Sequence, residues 1–293
     1  MGILFKDIII CFGGIKFNIS SEREITLDDE YLQFVAEKCV ADVMVKIDWN
    51  WEGTRKPESS IIGEDKLAHY YIEPDGTRFS MTRGGPKGYI ACTRYDDRYK
   101  ELYCTINEKP FLEPPSTMGS IMRCLPIREV FLTHGVLFFH SSQIAYNGKG
   151  ILFTAPSQTG KTTQAKLWKN HRNADIICND RTLVRKTESG WLTFGYPLDG
   201  SEPVRSNQVN ELGCIVVLRQ SPECEIQRLG AAKAVSLLMG QMVMDTWSSE
   251  AKVRTMNLLL KLLEEKPVYL LSCTPDENAV RTLETQLKLE GVL

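Results

Sequence analysis

The chain has 293 residues, of which 43% are hydrophobic and 25% are charged, and its formal charge is −2 at pH 7. This length allows one large hydrophobic core or two smaller ones and slightly favours two domains. The balanced charge gives no bias toward nucleic acid or a membrane surface, so we expect neither as a partner.

The N-terminal segment and the cysteines indicate the cellular compartment. The apolar run from Ile8 to Phe12 is too short to cross a bilayer, and no small-residue cleavage site follows a long apolar region. Nine cysteines are scattered along the chain without a C-x-x-C pair, which indicates reduced and mostly buried thiols. The sequence therefore predicts a cytoplasmic protein.

Residues 1–115 predict a smaller, β-rich N-terminal domain. Gly13-Gly14 is typical of a hairpin turn between two short strands, and residues 32–45 show helical spacing, with a strand as an open possibility at the end. Further strands are predicted at 68–72, 78–81, 89–93 and 102–106. Short turns rich in Gly, Pro and Asp join them, which favours an antiparallel sheet. The aromatic residues indicate a packed core rather than base stacking, because no basic stripe accompanies them.

A second domain is predicted over residues 116–293. Residues 109–115 contain three prolines and predict an extended linker. A helix is expected from Ser116, with Ser116 or Thr117 as its cap, to about Thr133, and Pro126 would kink or split it. Residues 136–140 and 143–146 then predict a second hairpin.

The clearest chemical signal is a strand, a loop and a helix at residues 148–168. The loop fits the phosphate-binding pattern G-x-x-x-x-G-K-[ST], with Ala155 in the first position. Backbone amides at a helix start, a lysine and a hydroxyl suit a polyphosphate and its Mg²⁺. The alternative is a chance Gly-Lys-Thr. The predicted nucleotide-binding residues are Ala155, Pro156, Ser157, Gln158, Thr159, Gly160, Lys161, Thr162 and Thr163.

The rest of the chain predicts a mixed sheet with helices. Strands are expected at 175–180, 182–186, 191–195, 214–218 and 267–272, and helices at 230–241, 250–265 and 276–290. Asp180 ends the first of these strands, where a P-loop enzyme places a metal-holding acid. A strand-end aspartate that caps a turn is the alternative.

Four features of residues 134–272 together resemble a known family. His140 precedes Lys161 by 21 residues, Asn179-Asp180 ends a strand, Asp199 lies in the loop from Phe194 to Gly200, and Arg228 follows Ile226-Gln227. This pattern resembles the P-loop family of HPr kinases and phosphoenolpyruvate carboxykinases, and specifically its HPr-kinase-like branch found beside peptide-maturation genes. The resemblance implies a mixed-sheet α/β kinase fold.

The resemblance also implies roles for single residues. Asp180 would bind metal together with Thr162, His140 would assist as a ligand, and Asp199 would contact a second metal or the acceptor. Arg228 would neutralise charge on the transferred group. The alternatives are a core histidine at 140, a turn aspartate at 199 and a surface arginine at 228. Asn179 falls where the family has a second aspartate, and an amide cannot accept the acceptor's proton.

From these features we expect an enzyme, an ATP- and Mg²⁺-dependent phosphotransferase. Lys161, Asp180, Arg228 and His140 would be its catalytic residues, and the acceptor would be a hydroxyl of Ser or Thr on a peptide or protein, or of a small molecule. The alternatives are a nucleotide-binding regulatory or recruitment module that has lost transfer, and an ATPase-type regulator. The resemblance leaves a homo-oligomer open.

Overall fold

The chain forms a mixed α/β protein with two eight-stranded sheets and few helices. The computed structural model describes residues 3–109, 116–197, 204 and 206–293. Residues 1–134 and 245–252 form one compact unit, and residues 135–244 and 253–293 form a second. The expected boundary after residue 115 therefore falls inside the first unit, and residues 110–115 of the expected linker lie outside the described residues.

The first unit contains eight strands and two short helices in its described part. Its strands are β1 (Ile3–Phe12), β2 (Ile15–Leu27), β3 (Val43–Asp48), β4 (Gly63–Glu64), β5 (Ala68–Ile72), β6 (Arg78–Arg83), β7 (Tyr89–Tyr95) and β8 (Glu101–Ile106). Its α-helices are α1 (Met118–Met122) and α2 (Ile127–Thr133), and 3-10 turns lie at Asp29–Phe34 and Gly85–Lys87. The helix expected over 32–45 is wrong, because the segment holds only the end of a 3-10 helix. The strand considered at its end is present as the start of β3.

The sheet of the first unit has the order β1-β2-β3-β8-β7-β6-β5-β4. The expected antiparallel pairing holds for β1 with β2 and for the meander from β4 to β8. It is wrong for β3, which runs parallel to both β2 and β8. The 15 residues from 28 to 42 make this possible, because parallel neighbours need a long crossover connection.

The segment after the expected linker belongs to the first unit because its helices pack on the first sheet. The ring of Phe131 in α2 lies edge-on to Phe17 of β2, with 6.3 Å between centroids. The carbonyl of Cys124 accepts hydrogen bonds from the hydroxyls of Thr82 and Thr93. Thr117 caps α1, and Pro126 separates α1 from α2, as the sequence predicts.

The second unit contains eight strands and four helices in its described part, α5 beginning in the 245–252 segment. The strands are β9 (Val136–Tyr146), β10 (Lys149–Thr154), β11 (Asp175–Cys178), β12 (Arg181–Thr187), β13 (Gly190–Phe194), β14 (Val209–Gln220), β15 (Glu225–Arg228) and β16 (Val268–Cys273). The helices are α3 (Lys161–Arg172), α4 (Ala231–Leu238), α5 (Ser249–Glu265) and α6 (Glu277–Leu289). A 3-10 turn lies at Met239–Gln241.

Helices cover the second sheet from both sides. Ile151 and Phe153 of β10 point into a core with Trp168 of α3 and with α6, while Leu152 points into a second core with α4 and α5. This alternation follows from the two-residue period of a strand. Five strands of the second sheet close a ring through the pairings β9–β12, β12–β13, β13–β14, β14–β10 and β10–β9. Outside this ring, β16 pairs with β14, and β15 pairs with β16.

The hairpin expected at 136–146 is wrong, because these residues form one continuous strand. Ser141, Ser142 and Gln143 are fully buried and continue β9. The Ser142 hydroxyl donates to the carbonyl of Asn179, so these polar residues serve the interior and do not mark a turn. The turn comes later, at Asn147-Gly148, where both residues have positive φ.

Two other expectations concern the cysteines and the membrane. All nine cysteines are free thiols, and six of them are buried. No helix in the described part of the chain combines the length and apolarity that crossing a bilayer requires.

Candidate functional site

The phosphate-loop sequence connects β10 to α3. Ala155 is fully buried at the end of β10, and α3 begins at Lys161 after Gly160, whose φ is 113°. Gly160 supplies no side-chain cap, so the first amides of α3 receive no capping oxygen from it. Gln158 also has a positive φ of 65°, which is uncommon for a residue with a side chain. The loop therefore turns through the positive φ angles of Gln158 and Gly160. Ala155 does not have a positive φ, so an alanine is tolerated at this position of the motif.

Lys161 lies across this loop. Its side chain is buried, with 8% of the residue exposed, and its ammonium donates to the carbonyls of Ala155 at 3.0 Å and Pro156 at 3.4 Å. Burial lowers the pKa of the Lys161 ammonium, while the negative charge of Asp180 raises it. Lys161 is therefore held at the loop by carbonyl oxygens and is within the field of Asp180.

Strand β9 brings His140 to the base of the loop. Ser141 pairs with Thr154, the last residue of β10, and the Thr154 hydroxyl donates to the carbonyl of His140 at 2.9 Å. On its other side β9 pairs with β12, where Arg181 lies opposite His140. The backbone amide of Ser141 donates to the carbonyl of Asp180 at 3.1 Å. The loop, His140 and Asp180 thus come together through the ladders on both sides of one strand.

Asp180 lies between two basic side chains. Its Oδ1 is 3.1 Å from Nε2 of His140, and its Oδ2 is 3.4 Å from Nε of Arg181. The hydrogen bond from His140 is the largest effect that lowers the pKa of Asp180; burial opposes it, and the Arg181 charge adds to it. The carboxylate is 27% exposed, so it stays ionised and open to solvent.

Asn179 lies next to this carboxylate but is directed into the interior. The residue is 6% exposed, and neither the amide nitrogen nor the oxygen of its side chain has a hydrogen-bond partner among the described residues. An unpaired buried amide costs about 1–3 kcal/mol. This buried, unpaired amide makes position 179 unusual. The Asn179 side chain can donate and accept hydrogen bonds, but it carries no charge.

A cleft of about 570 Å³ opens beside the loop. It is lined by residues 158–160 of the loop, Thr163 and Gln164 of α3, and the chain after β14 and β16 at residues 218–222 and 273–275. Gln164 is 3% exposed, its Nε2 donates to Sγ of Cys273 at 3.4 Å, and its Oε1 has no partner among the described residues. The cleft therefore has an unsatisfied amide in its wall.

The oxygen donors at the loop fit a hard cation. Thr162 is on the first turn of α3 and Asp180 provides a carboxylate, and Mg²⁺ in nucleotide sites takes one or two protein oxygens with phosphates and water. No group of three or more His, Cys, Asp or Glu that could hold a metal occurs in the described ranges. Asp199, the other expected ligand, lies outside the described residues.

The structure does not bring Arg228 to the loop. Arg228 on β15 pairs with Tyr269 of β16, which lies level with Phe153 of β10. Two strands, β14 and β16, therefore separate Arg228 from the strand that leads into the loop. Its guanidinium binds the carboxylate of Glu290 at 2.8 Å, beyond the C-terminal end of α6. The expected role of Arg228 at the transferred group is therefore not supported, and its charge is already paired.

Two cations that the sequence analysis missed lie closer to the site. Arg181 contacts Asp180, and Arg219, at the end of β14, lines the cleft while its Nε donates to the Ser272 hydroxyl at 2.9 Å. Arg181 directly follows Asp180 in the sequence, but it belongs to none of the motifs whose spacing was compared. Gln164 had a signal too, as a glutamine on the buried face of a helix that otherwise carries Ala165 and Trp168.

Comparisons with known proteins give one family match. The model of the family described as SynChlorMet cassette protein ScmC matches residues 102–288, which is well over half of the chain. A search of curated proteins found no match. Among solved structures, the chain is similar to the Hpr(Ser) kinase/phosphatase from Coxiella burnetii at 12% identity and a TM-score of 0.31, over 52% of this chain and 97% of that one. A likeness at this TM-score carries no argument about fold or activity.

Proposed function

The chain belongs to the ScmC family of SynChlorMet cassette proteins, and we propose that its second unit transfers the γ-phosphoryl group of ATP, with Mg²⁺, to a hydroxyl group. The acceptor would be a side chain of a peptide or protein, or a small molecule. One observation carries the proposal: the pairing of β9 with β10 and with β12 brings Asp180, in the turn between β11 and β12, to the base of the loop that holds Lys161. This is the combination of cation and carboxylate that a bound triphosphate and its metal require.

The loop and α3 would bind the phosphates. The amides that Gly160 leaves uncapped form the positive end of the helix dipole, which favours an anion. Phosphate oxygens would replace the carbonyls of Ala155 and Pro156 as acceptors for the Lys161 ammonium. Because those carbonyls already hold Lys161 at the loop, little side-chain entropy would remain to be lost on binding.

Thr162 and Asp180 would hold the metal, and His140 would keep Asp180 ready for it. Bound Mg²⁺ would neutralise negative charge on the β- and γ-phosphates. His140 donates to Asp180 and favours its ionised form, which is the form that binds a cation. Arg181, on the other oxygen of Asp180, would assist the transferred group in place of Arg228.

The cleft beside the loop would take the nucleoside. A base ring has donors and acceptors on its edge, and Gln164 offers an amide without a full set of partners. Residues 218–222 and 273–275 form the other walls, so the cleft continues directly from the loop that would bind the phosphates. A nucleotide would thus span the loop and the cleft.

The direct test follows label from γ-labelled ATP into hydroxyl-bearing peptides and small molecules. We expect acceptor-dependent ADP release with the wild-type chain, a loss of at least about a hundredfold in Asp180→Asn, and no change in the exposed variant Lys169→Ala. ATP binding without transfer to any acceptor would contradict this function.

Asn179 favours a second function, a nucleotide-binding module that has lost transfer. A carboxylate at this position could take the acceptor's proton, whereas the Asn179 amide cannot. Asn179→Asp separates the two functions. If the wild-type chain binds ATP without transfer and Asn179→Asp gains acceptor-dependent transfer, the module is the correct function. If the wild-type chain transfers label, the module is excluded.

A further inference from the structure

Four polar side chains form a continuous series of polar contacts in the first unit. Oε2 of Glu64 lies 3.2 Å from Nε2 of His69, Nδ1 of His69 lies 2.5 Å from the Tyr89 hydroxyl, and that hydroxyl lies 3.2 Å from the hydroxyl of Tyr71. Glu64 and His69 face each other across the pair β4–β5. The His69 and Tyr89 rings meet edge to face over the intervening strand β6, with 5.6 Å between their centroids.

The chemistry of these groups sets the direction of the protons. A carboxylate only accepts, so the contact with Glu64 favours the His69 tautomer that carries its proton on Nε2 and turns the lone pair of Nδ1 toward Tyr89. Tyr89 must then donate to His69, and its oxygen accepts from Tyr71. Burial, followed by the bond to Tyr89, raises the pKa of Tyr71, so Tyr71 keeps the proton that it donates. Tyr89 is thus placed between a base and a hydrogen-bond donor.

This arrangement is the relation of carboxylate, imidazole and hydroxyl that activates nucleophiles in enzymes. Glu64 is 67% exposed, so its pair with His69 contributes little to folding and acts by fixing the tautomer. Tyr89 and His69 are partly buried, and 17% of the His69 side chain is exposed. Tyr71 and Tyr89 pack on Phe79 and Cys92, and the guanidinium of Arg55 lies over the Phe79 ring, which places a cation on the same cluster.

From this geometry we infer that Tyr89 is a general-base-activated phenol that accepts an electrophilic phosphoryl group. In the reaction the Tyr89 oxygen forms a bond to phosphorus while the bond from phosphorus to its leaving group breaks, and the leaving group departs with the electron pair. The phenolic proton passes to Nδ1 of His69, and the resulting imidazolium is stabilised by Glu64. Tyr71 donates to the oxygen as negative charge builds on it. The product is an aryl phosphate ester on Tyr89.

The first experiment measures nucleophilicity with an alkyl fluorophosphonate, from which fluoride leaves, followed by mass spectrometry of tryptic peptides. We expect label on Tyr89, none at this site in Tyr89→Phe, and labelling slowed by about a hundredfold in His69→Gln. Tyr103 is the matched internal control, because its hydroxyl donates to the Glu101 carboxylate and not to an imidazole. Equal labelling of Tyr89 and Tyr103, or wild-type rates in a folded His69→Gln variant, would overturn the inference.

The second experiment identifies the source of the phosphoryl group. The full chain is incubated either with ATP and Mg²⁺ or with acetyl phosphate, and phosphate on Tyr89 is quantified. Phosphate that appears with ATP in the wild-type chain but not in Lys161→Ala identifies the phosphate loop of the protein itself as the source. Phosphate that appears with acetyl phosphate also in Lys161→Ala identifies an external donor. No phosphate on Tyr89 in either arm overturns the inference, while intact ATP binding or transfer to another acceptor would leave the proposed function standing.

Discussion

Nε2 of His140 lies 3.1 Å from Oδ1 of Asp180, and this contact joins β9 to the turn between β11 and β12. The two residues are 40 positions apart in sequence. The β9–β12 ladder places Arg181 opposite His140 and so brings the preceding residue, Asp180, beside the imidazole. The contact therefore depends on strand register, and register is what the sequence alone specifies least well.

Removal of this contact should change the acidity of Asp180. Its pKa lies below the ordinary value, chiefly because His140 donates to it, so His140→Ala should raise it. Protonation of Asp180 would then occur at a higher pH, and any Mg²⁺-dependent nucleotide binding would be lost earlier on acidification. Carboxyl ¹³C chemical shifts measured against pH test this, with Asp180→Asn to assign the signal. An unchanged midpoint in His140→Ala would contradict the account.

A buried pair of acids should make the stability of the first unit depend on pH. Asp245 is 2% exposed, Oε2 of Glu129 is buried without a partner among the described residues, and burial raises the pKa of Glu129 well above 4.5. Arg128 lies 2.8 Å from Asp245 and also binds Asp65, and Tyr70 faces the same cluster.

The folded state therefore holds a proton on Glu129 that the unfolded chain releases. Its contribution to stability is complete below the ordinary pKa and is lost as pH rises toward the raised pKa, at up to about 1.4 kcal/mol per pH unit. We expect the free energy of unfolding to fall as pH rises above the ordinary carboxyl pKa and the slope to decrease in Glu129→Gln. Urea titrations measure it, with exposed Asp97→Asn as control. An unchanged slope in Glu129→Gln would refute the explanation.

Gly63 has no room for a side chain. A Cβ built on it would lie 2.0 Å from Cε3 of Trp247, whose ring stacks on Tyr70 with 4.6 Å between centroids. Gly63→Ala should therefore destabilise the first unit by about 1–3 kcal/mol through overpacking. In Trp247→Leu the same substitution should cost much less, because the ring is gone. A full cost in both backgrounds, measured by thermal unfolding, would show that the contact is not the cause.

The wall of the cleft should distinguish a nucleotide from its phosphates alone. Gln164→Met keeps the length of the side chain and removes the unsatisfied amide. If the cleft takes the nucleoside, affinity for ATP should fall by about tenfold, the cost of one hydrogen bond in a buried site, while affinity for inorganic triphosphate should not change. Calorimetry with both ligands provides the measurement, and exposed Asn170→Ala is the control. Equal effects on both ligands would place the nucleoside elsewhere.

The sequence predicts most elements of the second unit because their signals are local. The loop motif, the strand before it and the inward-facing Ala165 and Trp168 follow from residue type and period. Prediction from the sequence fails where contacts with distant parts of the chain determine the local structure. Ser141 to Gln143 indicate a turn by composition, but partners on neighbouring strands keep them in β9.

The candidate site shows the same limit. His140 and Asp180 follow from family-like spacing, whereas Arg228 matches a motif but lies on β15, where Glu290 binds it. The boundary after 115 fails for a related reason: helices α1 and α2 are amphipathic, and only the fold shows which sheet they cover.

The most direct test of the central claim is the affinity of MgATP for Lys161→Ala compared with Lys169→Ala. Both lysines lie on α3, but Lys161 is buried at the loop and Lys169 is exposed. Loss of a charge-assisted contact should cost about 1.5–3 kcal/mol, a weakening of roughly tenfold to 150-fold in Lys161→Ala only. Equal affinity of the wild-type chain and both variants in calorimetry would contradict a phosphate site at this loop.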